Sequence, residues 1–134
     1  MRVRRFFTAV AVGVATMLGA VAVAPAPAQA ATSWSLSNSR GDVVGAWVHG
    51  DWWWGSDGRL YLTVHVKDTA ANGVNAGAYL GANYSDAGVR FEWVDNSAGA
   101  DSTITKTFSF ASNVTSIYGY ECAGSSCGDW VRIF

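Results

Sequence analysis

Residues Arg59 to Asp68 carry an unbroken two-residue alternation, with Leu60, Leu62, Val64 and Val66 in one set and Tyr61, Thr63, His65 and Lys67 in the other. Successive side chains of an extended strand point to opposite faces, so this pattern specifies a half-buried strand and gives a helix no continuous apolar stripe. The four aliphatics belong in a core. Ser56-Asp57-Gly58 just before them is a turn, rich in residues that bond their own backbone or take a left-handed conformation. On its other side, Val43 to Trp54 reads as one long or two consecutive strands, with Val44, Ala46, Val48, Trp52 and Trp54 in one alternating set. Joined through Gly55 to Gly58, the two segments make a hairpin.

The same grammar continues downstream in Ala78–Tyr84, Val89–Asp95, Thr103–Phe110, Thr115–Cys122 and Asp129–Phe134, each bounded by Gly, Asn, Asp or Ser. Val89, Phe91 and Trp93 share a face, as do Ile104, Phe108 and Phe110 once Lys106 sits at an edge. With Ser33–Ser37 as a first strand, the chain holds about seven or eight strands at the spacing of an all-β domain. No stretch after residue 31 keeps a 3.6-residue apolar period for three turns. The expected fold is a single antiparallel β-sandwich, immunoglobulin-like or jelly-roll-like.

Residues 1–30 read as a secretory signal: Arg2, Arg4 and Arg5 precede an apolar run from Phe6 to Val23, and Ala28-Gln29-Ala30 supplies the small residues of a cleavage site. The arginine pair also admits twin-arginine export as an alternative route. The expected product is an extracellular single domain spanning 31–134. Removing the leader takes three of the nine Lys+Arg and none of the ten Asp+Glu, leaving a net charge of −4. Nucleic acid and anionic lipid are disfavoured as partners, because both demand clustered positive charge. The longest apolar run lies in the leader, so no membrane span is expected in the mature form. Cys122 and Cys127 are the two cysteines, and export favours their pairing across a hairpin turn. Metal binding by that pair is the weaker reading, since two thiols are half of a zinc site.

Three local features stand out: Val66-Lys67-Asp68 at a strand end, Phe91-Glu92-Trp93-Val94-Asp95-Asn96 followed by Gly99, and Tyr120-Glu121-Cys122 leading to Cys127-Gly128-Asp129-Trp130. In these, residues 60 to 134 resemble a loose group of small secreted actinobacterial proteins with a terminal Cys…Cys-x-x-Trp element. The resemblance implies a β-sandwich and gives no activity. Some small secreted proteins of this kind are non-catalytic subunits that join parts of large secreted toxin particles.

The seven tryptophans are the main functional clue. No alternating strand can bury Trp52, Trp53 and Trp54 on one face, so Trp53 is expected to point away from its neighbours and from Val44, Ala46 and Val48. The candidate binding residues are Trp53, Trp52, Trp54, Trp47, Tyr61, Tyr79 and Asp51, with Tyr84 able to extend the set. Exposed aromatics anchor protein interfaces, and flat rings also stack on sugars. The competing reading is structural, with the outer indole lying under a loop. Asp42, Asp51, Asp57, Asp86, Asp95 and Asp101 all have turn residues or glycine close by, which favours turn chemistry over paired catalytic carboxylates. Asp95-Asn96-Ser97…Asp101 supplies oxygen ligands for calcium in one loop, but their spacing matches no EF-hand loop, which disfavours that reading. His49 and His65 can meet across the first hairpin, but no serine sits in a nucleophile elbow. No catalytic residue, metal site or cofactor is therefore assigned.

Three functions follow in order of preference. The first is a non-catalytic protein-interaction module (adaptor, inhibitor or subunit of a secreted complex), monomeric on its own, whose partner is another secreted or cell-surface protein. The second is a carbohydrate-binding module that uses the exposed Trp and Tyr side chains on a polysaccharide. The third is a small hydrolase. A continuous apolar patch favours the first, and a row of Trp beside polar groups near Asp51 or Asn83 favours the second.

Overall fold

The computed structural model describes residues 29–134, so residues 1–28 of the expected leader lie outside the described residues. Nine strands follow in order: β1 Thr32–Ser35, β2 Ala46–Trp54, β3 Leu60–Asp68, β4 Ala76–Tyr84, β5 Val89–Asn96, β6 Thr103–Phe110, β7 Val114–Ala123, β8 Ser126–Cys127 and β9 Val131–Arg132. Every pairing is antiparallel, and the described residues contain no helix. One sheet runs β1-β2-β3-β6; the other runs β5-β4-β7, with β8 and β9 lying in succession along the remaining edge of β7. The expected β-sandwich is what forms. Its strand number exceeds the expected seven or eight because the final stretch is two short pieces, interrupted where Gly128 and Asp129 turn to meet the 40–41 segment. Counting those pieces as one, β2-β3-β6 facing β5-β4-β7-β8/β9 is the immunoglobulin-like order A-B-E facing C′-C-F-G, with β1 added outside β2.

The core follows the alternation. Leu60, Leu62, Val64 and Val66 are fully buried, while Tyr61, Thr63, His65 and Lys67 lie on the outer face. Across from them β4 contributes a mostly small row, Ala76, Ala78, Leu80 and Ala82, all buried. Small side chains opposite large ones let the sheets approach to native packing density.

Val44 departs from its expected inward place and is 95% exposed. Gly45 adopts a positive φ of 101°, a conformation that L side chains avoid, and this turn ends the extended run before β2 begins. From Ala46 onward the parity holds. Trp52 and Trp54 point to the core side, where both meet the Phe134 ring nearly edge-on, at centroid distances of 5.0 and 6.0 Å. Phe134→Ala should therefore cost about 2 kcal/mol, below the full-burial range because the ring is only half-buried. Chemical denaturation of the purified protein would show this as a lower midpoint with an unchanged slope.

One buried carboxyl ties the two sheets together. Glu121 of β7 is fully buried, and its oxygens accept the N–H groups of Val48 at 2.7 Å and Val43 at 3.0 Å. Burial pushes its pKa up to about 7 against the lowering effect of those two bonds, and the nearby Asp42 carboxyl also opposes its ionisation. Beside it, the Glu121 N–H donates to the Gly41 carbonyl at 2.9 Å and the Asp129 N–H to the Arg40 carbonyl at 2.8 Å. A Cβ at Gly128 would strike the Gly41 backbone, so this crossing requires glycine there.

Candidate functional site

The outer face of the β5-β4-β7 sheet is where side chains depart furthest from an ordinary solvated strand surface. Along β4 the outward positions are Gly77, Tyr79, Gly81 and Asn83, a row in which glycine leaves room for the rings of neighbouring strands. Trp93 of β5 lies across Gly77, where a Cβ would come within 2.5 Å of its indole. Phe91 and Trp130 converge over Gly81, each 3.3 Å from where a Cβ would stand. Tyr79 is the hub. Its ring stacks on Tyr120 at 5.5 Å, tilts against Trp93 at 5.5 Å and against Phe91 at 6.2 Å, and meets Trp130 edge-on at 6.1 Å.

Val89, Phe91, Trp93 and Trp130 are exposed to 55%, 59%, 41% and 38%. Together they present roughly 400 Å² of apolar surface, given side chains of the order of 150–250 Å² each. That lies within the range of the largest patch on a typical monomer, a patch that is often functional. A shallow groove of about 330 Å³ runs between Gly81, Asn83, Val89, Phe91, Tyr118 and Trp130. Charge stays at the perimeter: Asp95 accepts from Asn75 at 3.1 Å, and Arg132 donates to the Phe134 carbonyl at 2.9 Å.

The C-terminal hairpin holds Trp130 in this cluster. Cys122 and Cys127 form a disulfide directly across the β7–β8 pair, as expected. The Arg40 guanidinium donates to the Trp130 carbonyl at 3.2 Å, and the Trp130 ring stands edge-on to Tyr120 at 4.6 Å. The bridge suits an oxidising compartment.

The expected site residues are divided among three places. Tyr79 is the centre of the aromatic face just described. Trp47, Asp51, Trp53 and Tyr61 lie together on the outer face of the opposite sheet. Trp52 and Trp54 are half-buried on the core side of β2, where Phe134 packs against both, apart from the other expected site residues. Phe91, Trp93, Tyr118, Tyr120 and Trp130 were not among the expected site residues. The available signal was the Gly-Tyr-Gly alternation in β4 beside an equally spaced bulky row in β5.

Two further places gather titratable side chains. His65 Nδ1 and Thr105 Oγ1 are 2.7 Å apart on the open outer face, and the His49 ring lies 5.0 Å from that of His65. Burial lowers the His49 pKa, helped by the neighbouring His65 and partly offset by Asp51. A hollow of about 360 Å³ at one end of the sandwich is lined by Arg59 and Arg90, but both guanidinium groups are engaged, Arg59 with Ser109 and Arg90 with Glu92 and the Ser109 carbonyl. No family model, curated protein or solved structure matches the chain.

Proposed function

We propose that the protein is a secreted, non-catalytic protein-interaction module, an adaptor, inhibitor or subunit of a larger complex, that binds another secreted or cell-surface protein through the outer face of the β5-β4-β7 sheet. The observation that carries this reading is the contiguous, uncharged patch of Val89, Phe91, Trp93 and Trp130 around Tyr79. Interface centres are depleted in charge and enriched in aromatic side chains, and a few such anchors supply most of the binding energy. At roughly 400 Å² the patch is about half of what one partner buries in a standard interface, which suits a centre completed by a polar rim and a protein that is monomeric alone. Secretion rests on the leader at residues 1–30 and agrees with the disulfide.

Binding through the face is favoured over strand addition at the edge. β5 is an edge strand, but its inward positions hold Arg90 and Glu92, paired at 2.5 Å, with the Arg90 guanidinium over the Phe110 ring. Inward-pointing charge on an edge strand is a known guard against pairing with another chain.

Recovery of the tagged 31–134 protein with its complex from native culture supernatant would supply the partner for quantitative binding. Phe91→Ala should then weaken binding about 30-fold, equivalent to 2 kcal/mol, with little change in melting temperature. A partner bound equally well by the Phe91→Ala and Trp130→Ala variants would remove this face from consideration.

A further inference from the structure

We infer that the opposite face, the outer side of the β1-β2-β3-β6 sheet, is a second binding surface, and that its ligand is a neutral, extended polysaccharide. This site is independent of the aromatic patch on the other sheet. It begins from parity in β2: with Trp52 and Trp54 turned inward, Trp47 and Trp53 both face outward, six residues apart and therefore separated by about 20 Å along one strand.

Both indoles are held in place. Trp47 stacks on His49 at 3.9 Å and 17°, and its Nε1 donates to Ser35 Oγ at 3.2 Å. Trp53 lies parallel to Tyr61 at 5.6 Å and 10°, and the Tyr61 hydroxyl donates to Asp57 at 2.7 Å. Rings already ordered before a ligand arrives lose little freedom on binding. Between these aromatic stations the surface is polar. Ser33 donates to Asp51 at 2.5 Å, and Thr63 and Thr107 are hydrogen-bonded across the β3–β6 pair at 3.2 Å. No outward position of β2 or β3 carries an aliphatic side chain.

This composition suits a sugar better than a protein. A pyranose presents an apolar C–H face and a rim of hydroxyls, so it needs flat rings beneath it and hydrogen-bonding groups beside them. A protein interface needs a dry apolar centre, and here the centre is Asp51, Thr63 and His65. The surface has no clustered charge: Asp51 is bonded to Ser33, Asp57 to Tyr61, and Lys67 is the single cation on the outer face of β2 and β3. A polyanion would find no basic cluster to replace its counterions. The length of the row, about 20 Å along one strand, fits the side of a chain instead of its terminus.

Co-sedimentation with cellulose and chitin, and affinity electrophoresis in soluble xylan, would test the assignment, with heparin as the anionic comparison. Retention is expected on at least one of the three neutral polymers and not on heparin. Trp47→Ala and Trp53→Ala should each weaken retention about 10-fold, the loss of one modest aromatic contact. Trp47→Tyr and Trp53→Tyr should retain most of it, because a flat ring remains, and Phe91→Ala should leave it unchanged. Failure to bind any of the three neutral polymers would overturn the inference, as would retention insensitive to both tryptophan replacements or lost in Phe91→Ala.

Discussion

Gly50→Ala is expected to lower stability by more than about 4 kcal/mol, enough to unfold much of a domain whose total stability is of the order of 5–15 kcal/mol. Gly50 lies mid-strand in β2 on the core side, opposite Val64. A Cβ there would fall on the Thr63 carbonyl of the neighbouring strand and come within 3.2 Å of the Trp34 ring. Backbone atoms cannot swing aside as a side-chain tip can, so relief requires parting the β2–β3 ladder at the middle of the sheet. Gly77→Ala is the informative contrast. Its added methyl would meet the end of the exposed Trp93 indole at 2.5 Å, which can rotate outward, so the cost should be about 1 kcal/mol while the aromatic face is disturbed. Urea midpoints measured side by side would decide the matter. Equal stability of the two variants would refute the close approach at Gly50.

Glu121 should impose a pH dependence of unusual sign for a carboxyl group. Its pKa is raised from 4.5 to about 7, chiefly by burial. The folded state thus holds the proton more tightly than the unfolded chain. The stabilisation is fully present below about 4.5, declines as pH rises, and is gone once pH passes about 7. Its size is of the order of 3 kcal/mol. His49 works in the opposite sense: its lowered pKa favours the fold above 6.5, a contribution lost as pH falls through the folded value.

Glu121→Gln isolates the carboxyl. An amide NH₂ would replace one of the oxygens that accept the Val43 and Val48 N–H groups, leaving a buried donor unsatisfied at a cost of about 1–3 kcal/mol. At pH 5 the variant should therefore be clearly less stable than the parent, and by pH 8 the gap should close as the parent bears its buried charge. Parallel stability curves for the two proteins from pH 4.5 to 8 would show that Glu121 does not titrate in this range.

The β3 strand was legible down to the facing of each residue because its two sets differ sharply in polarity and one of them must be buried. The same rule explains Trp53, whose outward parity follows from Ala46 and Val48. It fails at β5. There the bulky set Val89, Phe91 and Trp93 faces out, while Arg90 and Glu92 share the inward side with Val94. Sequence periodicity identified a shared face without saying which side of the sheet it occupied. The decision lies in β4, whose alanine row fills the interior opposite β3 and whose glycines receive the rings outside. Val44 was misplaced for a local reason, the positive φ at Gly45. The grip of Glu121 on Val43 and Val48 spans 78 and 73 positions, and no short-range pattern encodes it.

The crossing of Arg40 and Gly41 with the last strands also bears on how fast this chain reaches its native state. The bond from Arg40 to Trp130 closes a separation of 90 positions, and the Arg40–Asp129 and Gly41–Glu121 bonds are nearly as remote. Long-range closures carry their entropic cost before the contacts that reward them, which places such topologies among the millisecond-to-second folders. A nascent chain lacking residues 129 and 130 has no partner for Arg40, so the Arg40 end of the seam can seal only after those residues emerge. Its acquisition of protease resistance should consequently wait until residues 129 and 130 have joined Arg40.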